Sequence, residues 1–251
     1  MTNDDGFYSE GIESLFRSLQ DIAKITIVAP DRERSATSLS LTLHNPLRIQ
    51  KIKPNIYAIS GTPADCIYLA LQKILRQKPD LIISGINHGP NLGQQDISYS
   101  GTVAGAIQGA FLGVPSLAVS LMPNPEGIFD FSYAAEFIRT LSEILLNRKI
   151  PAGICLNINI PPPPRKGIKL AKLGQKRYNP EIIVKKDPRN RTYYWIGTGQ
   201  PKEIGNPDSD VKQFKKGYTT VTPLQTDKTD HEAMKSSLLK TIFSKVKNET
   251  V

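Results

Sequence analysis

Apolar residues in the first 160 positions fall into short runs, separated by stretches with helical spacing. Lys24-Ile25-Thr26-Ile27-Val28-Ala29-Pro30 is a short apolar run closed by proline, and Ile56 to Ser60 is another. Asp80 to Ser84, Pro115 to Leu121 and Ala152 to Ile160 repeat the pattern, the last interrupted by Asn157 and Asn159. Each predicts a strand. Between them, Thr62-Pro63-Ala64-Asp65 opens a helix expected to reach about Arg76. Thr62 can cap it, Pro63 suits the first helical position and Asp65 suits the positive helix end. Further helices are predicted from about Thr102 to Leu112, stopping at Gly113, and over Phe131 to Asn147. Gly101, Gly105, Gly109 and Gly113 recur every four residues, which reads as close packing along one helix face. Strands alternating with helices predict an α/β fold with a doubly wound, Rossmann-like, mostly parallel sheet covered on both faces.

The texture changes after Ile160. Pro161-Pro162-Pro163-Pro164 is a stiff breaker. Ile168 to Leu173, Thr192 to Thr198 and Gly217 to Pro223 read as strands in longer, charged connections, and a final helix spans roughly His231 to Val246. This predicts a hairpin-rich C-terminal extension with a final helix, not a second α/β unit. The 251 residues are expected to form a single domain, with its core in 1–160 and its extension in 161–251.

Hydrophobic residues at 39% and charged residues at 22% suit a chain with a sizeable core. No apolar run approaches the roughly 20 residues that span a bilayer, and the polar, acidic start carries no cleavable signal. Cys66 and Cys155 sit in apolar patterns and read as buried thiols of a cytoplasmic protein. The net charge of +9 is uneven: residues 1–160 carry 13 basic against 14 acidic side chains, and residues 161–251 carry 19 against 9. Solvated lysine accounts for such an excess, and a field for anionic ligands is the functional alternative.

Several clusters could carry chemistry. Asp4-Asp5 before Gly6 pairs two carboxylates whose repulsion a hard cation relieves. Ser84-Gly85-Ile86-Asn87-His88-Gly89-Pro90-Asn91-Leu92-Gly93 follows a strand, at the carboxyl end where doubly wound sheets bind ligands. Ser100-Gly101-Thr102 opens a helix, whose free N–H groups suit an anion. Arg34-Ser35-Ala36-Thr37-Ser38 is a polar loop, and Asp227 and His231 stand four apart before the last helix. Each has a plain structural counterpart: a flexible acidic terminus, a glycine turn, a simple cap, a solvated turn.

Taken together, the chain resembles the SurE family of metal-dependent nucleotidases. The resemblance rests on Thr2-Asn3-Asp4-Asp5-Gly6, Val28-Ala29-Pro30-Asp31 with Arg34-Ser35-Ala36, Gly61 to Cys66, Ser84 to Asn91, and Ser100-Gly101-Thr102-Val103. It implies that Asp4, Asp5, Ser35 and Asn87 ligate a divalent ion and that Asn91, Ser100, Gly101 and Thr102 surround the substrate phosphate. Asp227, Thr229 and His231 match a variable C-terminal element of the family. It further implies dimers or tetramers built by exchange of C-terminal segments. The family pattern places a few apolar residues before Asn-Asp-Asp-Gly as the first strand of the sheet. Only Met1 precedes Thr2 here, so that strand is expected to be missing or cut short, and the start of the chain reads as truncated or wrongly assigned. The Asn91–Ser100 loop is one residue longer than the pattern.

The expected activity is metal-dependent hydrolysis of nucleoside monophosphates. Asp4 is a catalytic metal ligand in this reading, and His231, oriented by Asp227, protonates the leaving oxygen. Oxygen ligands suit magnesium or manganese, one per subunit, better than zinc. The rival readings are a basic nucleic-acid-binding protein, for which Tyr193, Tyr194 and Trp195 offer few stacking groups, and a dinucleotide-binding oxidoreductase, which lacks its glycine fingerprint at Gly6.

Overall fold

The computed structural model describes residues 1–148, 151–197, 199, 201–204 and 206–249. Helix α1 (Glu10–Leu19) leads to β1 (Ile27–Pro30), then to the pair β2 (Ile49–Lys53) and β3 (Ile56–Ile59), then to α2 (Pro63–Leu69). Next come β4 (Ile82–His88), α3 (Gly93–Tyr99), α4 (Gly101–Phe111), β5 (Ser116–Leu121), α5 (Phe131–Leu146) and β6 (Cys155–Ile160). The last third adds β7 (Gly167–Leu170), β8 (Gln175–Arg177), β9 (Ile182–Lys186), β10 (Thr192–Ile196) and β11 (Lys202–Ile204). It ends with α6 (Asp210–Lys215), β12 (Tyr218–Leu224) and α7 (Ser237–Glu249). Thr198, at the end of one predicted strand, lies outside the described residues.

Two blocks of strands, β2-β3-β1 and β4-β5-β6-β12-β7, flank residues 1–3. Thr2 donates its N–H to Ile83 O at 3.0 Å and accepts from Gly85 N at 2.9 Å, while Met1 O accepts from Val28 N at 2.9 Å. The Met1 amine donates to Thr26 O at 2.7 Å. Residues 1–3 thus fill the central strand position with their backbone alone, parallel to β4. Behind Met1, a cavity of about 610 Å³ is lined by Leu19, Ile25, Ile67, Leu71 and Ile83 among others. The shortened first strand expected from sequence is present as one bridge, Thr2 with Ser84. Burial of the Met1 amine pushes its pKa down to about 5.

Helices α1 and α5 cover one face of the sheet, and α2 and α4 cover the other. On the α5 side, large aliphatics fill the interface: Leu15, Ile83, Leu117, Val119, Ile138, Ile158 and Ile160 are all buried. On the α4 side the packing is close and the residues small. A Cβ on Gly105 would lie 2.8 Å from Ser84 Oγ, and one on Gly109 would lie 2.4 Å from Ser116 Oγ. Gly113 does not extend that stripe; at φ +72° it ends the helix.

Some expected elements differ at their ends or in their place in the sheet. The helix opened by Thr62 has the expected cap, and Asp65 completes a capping box in which Thr62 and Asp65 bond each other's backbone. Its α-helical part ends at Leu69, a wider turn carries it on over Ala70–Ile74, and extended backbone at Leu75 closes it just before Arg76, close to the expected end. The extension is also less separate than its composition implies. β12 pairs antiparallel with β6 and parallel with β7, so both belong to the main sheet. The final helix starts at Ser237, after a separate short turn over Ala233–Lys235 in which Ala233 N donates to Asp230 Oδ1 at 2.8 Å.

Candidate active site at the switch point of the sheet

From the central position of residues 1–3 the chain turns to β1 on one side and later returns to β4 on the other. The carboxyl ends of these two strands therefore bound the crevice where doubly wound sheets bind ligands. Asp4 and Asp5 leave one side of that crevice; Asn87 and His88 leave the other. The turn is shaped by Asn3, whose side-chain amide donates to Gly6 O at 2.9 Å and Ser9 Oγ at 2.6 Å. Gly6 takes φ +102°, which a side chain would oppose.

Asp4 is only 5% exposed. Thr102, in the first turn of α4, donates its hydroxyl to Asp4 Oδ1. A Cβ on Gly101 would lie 2.8 Å from Asp4 Cβ, so only glycine lets the helix start come this close. Burial raises the Asp4 pKa to about 6; the Thr102 hydroxyl opposes the rise and the charge of Asp5 adds to it. Asp5 faces His88, with Nδ1 3.1 Å from Oδ1, while its Oδ2 is buried without a hydrogen-bond partner. The His88 ring sits edge-on to Phe129 and Phe131, with centroids 4.9 and 5.0 Å away. The hydrogen bond to Asp5 raises its pKa, and burial works against that. His88 carries no sequence signal for this role, because its partner lies 83 residues away.

The other predicted residues are placed differently. The 31–36 loop reaches the site through its backbone, Arg34 N donating to Asp4 O at 2.7 Å. The Ser35 hydroxyl turns instead to Glu33 Oε1 at 2.6 Å. Asn87 donates its amide to Gly89 O at 2.7 Å. Asn91 is buried and gives one amide proton to Ser120 Oγ at 2.8 Å. Ser100 caps α4, its Oγ accepting from Val103 N at 3.1 Å. That bond takes the N–H of Val103; the N–H of Gly101 lacks a helical acceptor, and the positive helix end suits an anion. Asp227 and His231 do bond to each other, at 2.8 Å, but His231 is 66% exposed on its side chain. Among the described residues, no hydrogen bond or ion pair links either to Asp4, Asp5 or Asn87.

Comparison with known proteins decides the family. Residues 1–180 match the family model described as Survival protein SurE. The chain belongs to the SurE family. This family member is 45% identical over 240 residues to 5'-nucleotidase SurE of Vibrio cholerae serotype O1, covering 94% of each chain. It is 45% identical over 250 residues to 5'-nucleotidase SurE of Pelotomaculum thermopropionicum, covering 96% of this chain and 95% of that one. The crystal structure of SurE protein from Aquifex aeolicus matches with a TM-score of 0.80 at 39% identity, over 94% and 96% of the two chains. Among the described residues, no helix is long and apolar enough to cross a membrane.

Proposed function

We propose that this chain is a divalent-metal-dependent phosphatase that hydrolyses nucleoside monophosphates to nucleoside and phosphate. The observation that carries the reading is the buried Asp4-Asp5 pair, placed at the switch point beside the start of α4. Among the described residues, no three His, Cys, Asp or Glu side chains cluster as a metal site. The pair would hold an ion with neutral oxygen donors; the family resemblance assigns that role to Asn87 and Ser35, whose side chains here bond Gly89 O and Glu33 Oε1. The orphaned Asp5 Oδ2 and the raised Asp4 pKa both fit a cation between these carboxylates. An oxygen donor set suits magnesium or manganese, one ion per subunit. Such an ion supplies charge neutralisation on the phosphate and activation of water.

The chain's own residues do the rest. Thr102 fixes the Asp4 carboxylate, and His88 fixes Asp5. Ser100 shapes the helix start, whose N–H groups hold phosphate oxygens alongside Asn91. His231, held by Asp227, gives the departing nucleoside oxygen its proton. The relatives named 5'-nucleotidase SurE support the substrate class. The protein acts in the cytoplasm, a reading supported by two free, buried cysteines. It works as a homodimer or homotetramer: β9 and β10 expose Ile182, Val184, Tyr194, Trp195 and Ile196, and α7 exposes Leu238 and Phe243. That apolar character argues against a nucleic-acid face.

Phosphate release from a nucleoside monophosphate panel, across magnesium, manganese and zinc and with a chelator, tests the whole reading. Activity that survives chelation would overturn it. The donor role is tested with His231→Ala. Loss on nucleotides should be about 100-fold, with little loss on p-nitrophenyl phosphate, whose leaving group departs unprotonated. Equal losses on both would remove His231 from that role.

A further inference from the structure

Strand β6 is buried except at the half-buried Leu156, yet two of its six residues are asparagines on one face, Asn157 and Asn159, both fully buried. Their partners are not in the sheet. Asn159 Oδ1 accepts from Asn91 N at 2.7 Å, and its Nδ2 donates to Asn91 O at 3.0 Å. Asn157 Nδ2 donates to the same oxygen at 2.9 Å. From the neighbouring strand β5, Ser120, paired in register with Asn159, takes the Asn91 side-chain amide. Four hydrogen bonds from two adjacent strands thus fix one loop residue, gripping its peptide groups on both sides. Two residues on, Asp210 Oδ2 accepts from Gly93 N at 2.8 Å, while its Oδ1 accepts from Gly174 N at 2.7 Å.

Core stability does not explain this arrangement. A strand buried on both faces is served best by apolar side chains, and buried amides are costly unless fully bonded. Here they are not fully bonded: Asn157 Oδ1 is buried without a partner, as are the Thr220 and Thr222 hydroxyls on the adjoining strand. What the arrangement does supply is a fixed position for Asn91, and through Gly93 for the start of α3, which leads to Ser100 and the phosphate-facing end of α4.

We propose that Asn159 and Asn157 are positioning residues for the phosphatase reaction, a clamp on the Asn91 peptide that sets the phosphate-binding loop. Asn159 is the stronger member because it grips both sides of the residue; Asn157 reinforces one side. The inference rests on the function proposed above, since it takes Asn91 and the loop after it as the phosphate side of the site.

The test uses the full chain, with inorganic phosphate and Mn²⁺ as separate binding probes and nucleotide hydrolysis as the kinetic one. Asn159→Leu keeps the branched shape, in a somewhat larger side chain, and removes both bonds. It should weaken phosphate binding by about tenfold or more and lower kcat/KM by at least about 100-fold, with Mn²⁺ binding within about twofold of wild type. Asn157→Leu should cost about tenfold in kcat/KM and leave Tm equal or higher, because it also removes an unpartnered carbonyl. Phosphate binding and kcat/KM within about threefold of wild type in a folded Asn159→Leu protein would overturn the clamp, as would equal loss of phosphate and Mn²⁺ binding.

Asn159→Asp decides the matter if the leucine variant does not fold. Its carboxylate still accepts from Asn91 N but turns a charge on Asn91 O. Protonation, favoured by burial, restores a donor to that oxygen. Activity relative to wild type, at matched pH, should therefore rise as pH falls; a flat ratio would overturn the clamp. A wild-type protein that releases no phosphate from nucleotides would sink the function itself, an outcome distinct from an active wild type with unaffected clamp variants.

Discussion

The β4–β5–β6 region and the β9–β10 hairpin treat apolar residues in opposite ways. In the first, Leu117, Val119, Ile158 and Ile160 are buried under α5, and Ser120, Asn157 and Asn159 reach from the interior to hold Asn91. In the second, Tyr194, Trp195 and Ile196 are 67%, 60% and 78% exposed, and among the described residues the strands pair only with each other. A lone two-stranded hairpin is marginal in water. The difference teaches where each part finds its partner. The core finds it within the chain, through helices placed by their own periodicity. The hairpin leaves an apolar surface that only another surface can cover.

The sharpest way to break this comparison is at the site end of the core. Asp4→Asn keeps the shape of a buried side chain and its neighbour Thr102 but removes the charge. Metal-dependent phosphatase activity should fall by at least about 1,000-fold, several kcal/mol of lost stabilisation, with the fold intact by circular dichroism. Near-normal turnover with normal metal binding would remove Asp4 from the site.

Next in size is the core itself. Ile138 on α5 is fully buried between the helix and the sheet. Ile138→Ala should cost about 2–5 kcal/mol by denaturant unfolding, as large-to-small core substitutions do. A loss under about 1 kcal/mol would mean that this layer is looser than its burial indicates.

Asp4 also makes a pH prediction. In the folded, metal-free chain it titrates near 6, against 3.8 in the unfolded state. The folded state therefore holds the proton more tightly between those values. The contribution of Asp4 is full below about pH 4 and is lost as pH rises through 6, a change of about 3 kcal/mol at most. With a chelator present, the difference in stability between wild type and Asp4→Asn should change over this window and level off above it. Mn²⁺ should raise Tm more at pH 7.5 than at pH 5, because the proton competes for the same carboxylate. A difference with no slope between pH 4 and 6 would contradict the burial-driven shift.

Much of this was legible in the sequence, for identifiable reasons. The strands of the core and the helices α4 and α5 have strong periodicity, and the motif residues Asp4, Asp5, Asn87 and Thr102 reach one end of the sheet because each follows a strand or opens a helix. Helix α1 was readable and unassigned: Ile12, Leu15 and Leu19 repeat at helical spacing and are buried. Asn157 and Asn159 showed only as interruptions in an apolar run, since their partner lies 66 and 68 residues away. His88 was hidden for the same reason. The place of β12 in the main sheet was obscured by the charged connections around it, because composition reports solvent exposure and says nothing of which strand lies alongside.

The smallest expected effect on stability lies in the hairpin, where it sharpens the comparison most. Trp195→Ser and Ile196→Ser change side chains that contribute little to the fold of their own chain, so the unfolding free energy measured on the dissociated protein should move by less than about 0.5 kcal/mol. If a second copy covers this face, the same substitutions should shift the species seen by light scattering at micromolar concentration toward the monomer, since exposed aromatics are the residues that dominate interface energies. The wild type should scatter as a dimer or tetramer under the same conditions. A wild-type monomer would show that the hairpin is left uncovered by its own kind. An oligomer unmoved by both substitutions would transfer the interface to α7, whose Leu238 and Phe243 form the other exposed apolar stripe.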